Sequence, residues 1–244
     1  AEWKGPGASP IKIAVISDLH LGRFVGPGHL KRVADLVNSR SPDIVLIAGD
    51  TIDDAGFLKN KRRKEMTASI FESLKPRLGV WAVPGNHDYY AGIEDSVSFL
   101  QSCDVKVLSD EWAAPGWEML LIGRDDPAGG RYGRERTSLR SIISNAKTTL
   151  GPAAEHLPIV VLDHQPHNLE ESRSEGVALQ ISGHTHRGQL FPVNFIVAWL
   201  FEKHYGPYKK GDTNYYISSG AGTWGPPIRT IGRPEVVFVS LYAR

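Results

Sequence analysis

Cysteine is almost absent: Cys103 stands alone among 244 residues, which excludes an intrachain disulfide, a thiolate zinc cluster and a CxxC redox pair. Any bound metal must therefore be held by oxygen and imidazole donors. Charge of one sign is also missing. The 28 Lys+Arg face 27 Asp+Glu for a formal net charge of +1, so a nucleic-acid coat, an acidic tail or a polybasic arm is not expected. No run approaches the roughly 18–20 consecutive apolar residues of a bilayer span, and Ala1–Pro10 lacks the basic-then-apolar order of a signal peptide. The segment Gly5-Pro6-Gly7-Ala8-Ser9-Pro10 reads as a linker or a processed terminus. Residues 1–10 are accordingly set apart, and one soluble domain is expected over residues 11–244.

What is present is a repeated pattern. Ile11–Ile16 ends in Ser17-Asp18-Leu19-His20, Asp43–Ala48 in Gly49-Asp50, and Gly79–Val83 in Pro84-Gly85-Asn86-His87-Asp88. Short β-branched or apolar runs of this kind predict buried strands. Between them, Leu30, Val33, Leu36 and Val37, then Met66, Ile70, Phe71 and Leu74, fall at helical spacing. Strand, helix, strand is the crossover of a mostly parallel sheet. Helices are also expected at 93–100 and 139–146, and strands at 105–108 and 118–122. Two further strands end in histidine: Pro158–Leu162 before Asp163-His164, and Val177–Ile181 before Ser182-Gly183-His184-Thr185-His186. The strand-like segments 214–219 and 235–242 suggest a second sheet packed on the first.

Ligand sites of open α/β sheets lie beyond the carboxyl ends of the strands, where all these polar clusters fall. Asp18, His20, Asp50, Asn86, His164, His184 and His186 offer only oxygen and imidazole donors, a set suited to hard or borderline divalent ions. In Asp18-Leu19-His20 and His184-Thr185-His186 the i, i+2 spacing of an extended segment points both side chains to one side. Seven donors, with His87 and Asp88 held in reserve, serve two ions more economically than one. A central carboxylate can bridge two metals about 3.5–4 Å apart, an arrangement that clamps the attacking and leaving oxygens of a phosphoryl displacement. Asp50 is the candidate bridge.

Asp-x-His, Gly-Asp, Gly-Asn-His-Asp, a strand-end His and Gly-His-x-His, in this order from Asp18 to His186, resemble the five motif blocks of the calcineurin-like metallophosphoesterases. The resemblance implies an α/β fold of two mixed β-sheets packed as a sandwich and flanked by helices, in four αββα layers. It implies that Asp18, His20 and His186 bind one metal, that Asn86, His164 and His184 bind the other, and that Asp50 bridges them. It further makes His87 the residue that contacts the phosphate and protonates the leaving oxygen, with Asp88 orienting its imidazole and a hydroxide held between the metals as nucleophile. Manganese, iron or zinc are the foremost candidates for the two ions.

The C-terminal stretches Gly183–Gln189, Tyr216–Gly222, Pro226–Arg229 and Arg233–Glu235 are similar to a membrane-associated bacterial phosphodiesterase branch, related to enzymes that cleave the pyrophosphate of UDP-2,3-diacylglucosamine. That similarity implies a phosphodiester or pyrophosphate substrate, lipid-linked or near a membrane, for a full-length protein that is membrane-associated. Two rivals stand beside it: a nuclease or cyclic-nucleotide phosphodiesterase on the same metals, and a non-catalytic metal-binding interaction scaffold. No stable nucleic-acid partner is expected at this net charge.

Arg187 stands where many relatives have Gly, and Arg229 lies in a Gly/Pro-rich loop. Both are candidates for substrate binding, since a guanidinium fork suits a phosphate. His29, His156, His167 and His204 have no motif around them and are expected to be surface or hydrogen-bonding residues. The basic run Lys59–Lys64 is expected to be a solvated helix face. Phe191–Phe201 is too short to span a bilayer; it is either an ordinary core helix or, with the residues up to Tyr208, an interfacial helix at a membrane surface or a lipid-chain groove next to the metals.

Overall fold

Ile13 and Val15 point to one side of the first strand and Ala14 and Ile16 to the other, and all four are buried. A strand buried on both faces requires a layer on each side. The computed structural model describes residues 9–242, so residues 1–8 of the linker-like segment lie outside the described residues. The strands in chain order are β1 (Ile11–Ile16), β2 (Ile44–Ala48), β3 (Val80–Val83), β4 (Val105–Val107), β5 (Glu111–Ala113), β6 (Leu120–Gly123), β7 (Ile159–Leu162), β8 (Leu179–Ser182), β9 (Gly206–Lys210), β10 (Thr213–Ile217) and β11 (Val237–Leu241). The helices are α1 (Pro27–Ser39), α2 (Ala55–Lys59), α3 (Lys61–Phe71), α4 (Asn86–Ser102), α5 (Leu139–Leu150), α6 (Leu169–Ser174) and α7 (Val193–Leu200).

Two mixed sheets form, in the orders β11-β1-β2-β3-β4 and β5-β6-β7-β8-β10-β9. Strands β1 to β4 run parallel, as do β6, β7, β8 and β10. Ile13, Val15, Ile44, Leu46 and Val83 of the first sheet meet Leu121, Val160, Leu162 and Ile181 of the second in the central core. On the outer face of the first sheet, Ala14, Ile16, Val45 and Ile47 cluster with Leu30, Val33 and Val37 of α1 and with Phe99 of α4. The outer face of the second sheet packs on Leu139, Ile142 and Ala146 of α5. The four layers are therefore helix, sheet, sheet, helix.

The two C-terminal strand-like segments part company. β10 extends the second sheet beside β8, whereas β11 returns to the first as an antiparallel edge on β1, with Ile13 opposite Val239. The helix expected around Met66–Leu74 begins earlier, at Lys61, because the Asn60 side chain accepts the Arg63 N–H at 3.0 Å and caps it. The basic run is thus the last residue of α2, Lys59, followed by the cap and first turn of α3. The larger correction concerns residues 191–201: α7 is a helix, but none of its eight residues is buried, so it is no core helix. Among the described residues, no helix is long and apolar enough to cross a membrane.

Leu46 is fully buried between the sheets. Leu46→Ala is expected to lower unfolding stability by about 2–5 kcal/mol, while Leu36→Ala on the exposed side of α1 stays within about 0.5 kcal/mol of the parent. Urea denaturation of both variants checks the pair, and equal losses would contradict the two-sheet core.

Candidate metal centre and active site

Each parallel strand that leaves the core does so through a tight turn, and the residues at these turns carry the polar donors. Asp18, His20, Asp50, His184 and His186 all have left-handed backbone, with φ of 52°, 49°, 51°, 70° and 49°. Such conformations in non-glycine residues cost on the order of 1–3 kcal/mol each and persist only where the surroundings over-determine them. Here they turn five side chains from the strand direction toward one point. Gly49 shows how closely the strands approach: with φ of +82°, a Cβ on it would fall 2.5 Å from His164 Nδ1. Only glycine fits there.

The expected donors converge. Asp18, His20 and His186 form one group of mutually close ligand atoms, and Asp50, His164 and His184 another. Asp50 Oδ2 lies between them, 3.2 Å from His164 Nε2 and 3.7 Å from His20 Nε2. His20 Nε2 and His186 Nε2 are 2.9 Å apart, His186 Nε2 is 3.4 Å from Asp18 Oδ1, and Asn86 Oδ1 is 2.9 Å from His184 Nδ1. The second atoms of these side chains are already engaged. His164 Nδ1 donates to the Ala48 carbonyl at 2.8 Å, His20 Nδ1 lies 2.9 Å from Asp53 Oδ1, and Asp18 accepts the His184 N–H at 2.9 Å and the Ser17 hydroxyl at 2.5 Å. Outer partners of this kind fix the ring orientation and tautomer of metal-ligating histidines. His164 Nε2 is buried, and its 3.2 Å approach to Asp50 Oδ2 does not have hydrogen-bond geometry. An orphaned imidazole nitrogen aimed at buried carboxylates is what a divalent ion would satisfy, so the residues fit a metal centre.

The electrostatics agree with that fit. Burial works against a charged Asp50, but the neighbouring His164, with His20 and His87, outweighs it and holds the carboxyl well below the usual range. Burial likewise opposes charge on His164 and His20. The Asp50 carboxylate raises His164, while the hydrogen bond to Asp53 and the charges of Asp50 and Asp18 raise His20. Burial and then the charge of His164 push His184 down to about 3, and burial with His20 and Arg229 lowers His186. These shifts favour the neutral form of His184 and His186 and the positively charged form of His164 and His20. A cation can take over that positive charge by displacing the protons.

His87 stands at the rim, its side chain 17% exposed. Its ring meets His20 edge-on at 4.6 Å, and its backbone N–H donates to Asp50 Oδ1 at 2.8 Å. The geometry departs from the expectation for Asp88. The Asp88 carboxylate accepts backbone N–H groups of Gly85 at 2.9 Å, Ile52 at 2.8 Å and Thr51 at 3.3 Å. It closes the first turn of α4 and ties that turn to the loop after β2, while burial and then the nearby Asp50 push it up to about 6. The partner of the His87 ring is Asp53, whose Oδ1 lies 2.9 Å from His87 Nδ1 as well as from His20 Nδ1. Sequence reasoning missed Asp53. Its only signal is a second acid three residues beyond Asp50 in the same strand-end loop.

The two candidate arginines stand beside the cleft, and neither lines it. Arg229 donates to the carbonyls of His186 at 3.1 Å, Ser219 at 3.0 Å and Gly222 at 2.9 Å, holding the backbone behind His186. Arg187 lies over the Tyr205 ring, 4.4 Å from its centroid. The cleft itself has a volume of about 250 Å³. One wall is His20, Asp50, Asn86, His87, His184 and His186, and the other includes Leu190, Val193, Val197 and Trp224. Of the remaining histidines, His29 Nε2 bonds the Ala221 carbonyl at 2.8 Å and His167 stacks on Phe201 at 4.9 Å.

Residues 11–188 match the family described as calcineurin-like phosphoesterase, and the chain belongs to that family, whose members are by class metal-dependent phosphoester hydrolases. An uncharacterized metallophosphoesterase of Aquifex aeolicus (strain VF5) is 34% identical over 241 residues, covering 98% of this chain and 87% of its own. A counterpart in Helicobacter pylori (strain J99) is 33% identical over 233 residues, covering 95% of this chain, which spans 60% of the relative's length. A transmembrane protein with metallophosphoesterase domain from Danio rerio is 33% identical, covering 95% of this chain and 53% of its own. Among solved structures, the fold is shared with a 5'-nucleotidase precursor from Thermus thermophilus, at a TM-score of 0.57 and 16% identity over 96% of this chain and 54% of that one. It is also shared with a dimetal phosphatase from Danio rerio, at a TM-score of 0.56 and 13% identity over 96% and 93%.

Because Asp53 contacts two imidazoles that face the centre, Asp53→Asn is expected to lower activity roughly 10–100-fold and to displace the acid limb of the pH–rate profile. Metal titration and pH–rate curves on the purified variant test this, and a parental profile would remove Asp53 from any positioning role.

Proposed function

We propose that residues 11–244 act as one catalytic domain that hydrolyses a phosphodiester or pyrophosphate bond with two divalent metal ions. The observation that carries this reading is the position of Asp50 Oδ2 between His20 Nε2 and His164 Nε2, at 3.7 and 3.2 Å. Asp18, His20 and His186 would hold one ion and Asn86, His164 and His184 the other, with Asp50 shared; manganese, iron or zinc suits such donors. When bound, the pair supplies Lewis acidity for the attacking and leaving oxygens of an in-line displacement.

The chain's own groups supply the rest. His87 Nδ1 is held by Asp53, which leaves Nε2 to pass a proton to the leaving oxygen. The first turn of α4 sets its positive dipole end beside the same region, where the His87 N–H donates to Asp50 Oδ1 at 2.8 Å. Asp88 keeps that turn anchored to the loop carrying Asp50. The apolar wall of the cleft suits a substrate with a hydrophobic portion next to its phosphoester.

A lipid-linked or membrane-proximal substrate is favoured by the similarity of the C-terminal stretches to the membrane-associated phosphodiesterase branch. Relatives from Danio rerio and Bos taurus named as transmembrane proteins with a metallophosphoesterase domain support the same setting. In the full-length protein the domain would then work beside a membrane, with residues 191–208 toward it.

Chelator-stripped protein is expected to lose, and added Mn²⁺ to restore, hydrolysis of a chromogenic aryl phosphodiester, with a weaker rate on the matching monoester. Asp50→Ala should abolish turnover and metal binding together. His87→Ala should keep the metals and lose about 10²–10⁴-fold in rate. Full activity in both variants, or diester hydrolysis indifferent to chelation, would overturn the assignment.

A further inference from the structure

Helix α7 divides into two faces. Val193 and Val197, four residues apart, line the cleft with Leu190. Phe195 (63% exposed) and Trp199 (84%), also four residues apart, stand on the opposite face, while Phe191 (64%), just before the helix, and Ile196 (56%) and Leu200 (59%), on its flank, are exposed as well. Large apolar side chains scattered singly on a surface need no explanation, but five in ten consecutive residues form a patch of the kind that marks an interaction site. Between Val193 and Leu200 the only polar side chain is Asn194.

The segment of chain that carries this helix is basic. Residues 187–233 hold Arg187, Lys203, Lys209, Lys210, Arg229 and Arg233 against only Glu202 and Asp212, in a chain whose net charge is +1. Lys210 is paired with Glu202 and Glu170, and Arg229 is committed to carbonyls, which leaves Lys203, Lys209, Arg187 and Arg233 to set the field. A second copy of the chain would bring like charges face to face across a two-fold axis, which is unfavourable. An apolar helix with an aromatic tip in a basic segment matches an anionic lipid surface.

We infer that α7 seats in the interfacial layer of an anionic bilayer, lying in its plane, with Phe195 and Trp199 inserted and Lys203 and Lys209 at the headgroups. Eight helical residues are far too few to span a bilayer. Because the opposite face of the same helix lines the cleft, this seating turns the cleft mouth toward the headgroup layer, where a lipid phosphoester lies. The inference rests on the hydrolase reading for that consequence, but the docking itself is measured separately.

The test is flotation of the full 244-residue chain with vesicles of phosphatidylcholine alone and of phosphatidylcholine mixed with phosphatidylglycerol. The parent should float with the anionic vesicles, less well at high salt, and weakly with the neutral ones. Phe195→Ser/Trp199→Ser should bind anionic vesicles at least about tenfold more weakly, given the apolar area withdrawn, while hydrolysing a small water-soluble aryl diester at the parental rate. Lys203→Glu/Lys209→Glu should lose the preference for phosphatidylglycerol with the helix face intact. A parent that stays at the bottom of the gradient with both vesicles overturns the inference. So does a parent that sediments as a dimer which the Phe195→Ser/Trp199→Ser variant converts to monomer. Flotation without diester hydrolysis would instead remove the catalytic reading and leave the membrane seat standing.

Discussion

The structure depends on keeping one carboxylate charged in a place where burial should neutralise it. Asp50 is 1% exposed, wedged where two sheets meet, and in an apolar interior a carboxylate escapes the penalty by taking up a proton. What prevents this is the electrostatic attraction of the nearby His164 and His20 imidazoles, with a hydrogen bond from the His87 amide. These arrive from the strand-end turns after β1 and β7 and from the start of α4, places far apart in sequence and drawn from both sheets. The charge state of a single side chain is therefore a property of the whole sandwich.

That requirement explains the division of labour in the core. The packing between the sheets, with Leu46, Val83, Leu162 and Ile181, brings one set of strand ends opposite the other to within a few ångströms. The left-handed turns at Asp18, His20, Asp50, His184 and His186 then spend part of the stability so gained on aiming side chains. Strained backbone, close glycine approach and an unpartnered His164 Nε2 all fall at the same edge of the molecule. The opposite ends of the strands show no comparable cluster of metal-ligating groups among the described residues.

This edge was legible in the sequence because its signals are local. A β-branched run cut off by Gly and an acidic or imidazole residue says both where a strand ends and what it presents. The partner of His87 was not legible in that way. Asp88 is adjacent in sequence, but consecutive residues on a helix do not face each other, so its carboxylate turns back to the Gly85 amide while Asp53 reaches His87 from another loop. The return of β11 to the first sheet was hidden for a similar reason. Strand propensity says nothing about which edge is free, and β1 had an open one. For 191–201, composition gives an apolar helix without saying how much of it is covered, and in the structure none of the residues of α7 is fully buried.

The exposed helix and the metal centre are parts of one mechanical unit. Gln189 Nε2 donates to the Trp224 carbonyl, Gln189 O accepts the amides of Thr230 and Ile231, and the Thr185 hydroxyl donates to the His204 carbonyl. Arg229, from the same loop, holds the His186 carbonyl. The segment that presents α7 outward is thus fastened on both flanks to the turn carrying His184 and His186. A surface that fixed α7 would fix the frame of two metal-facing imidazoles with it, so the membrane seat inferred for this helix would be linked to the geometry of the centre through a few hydrogen bonds rather than through the distant core.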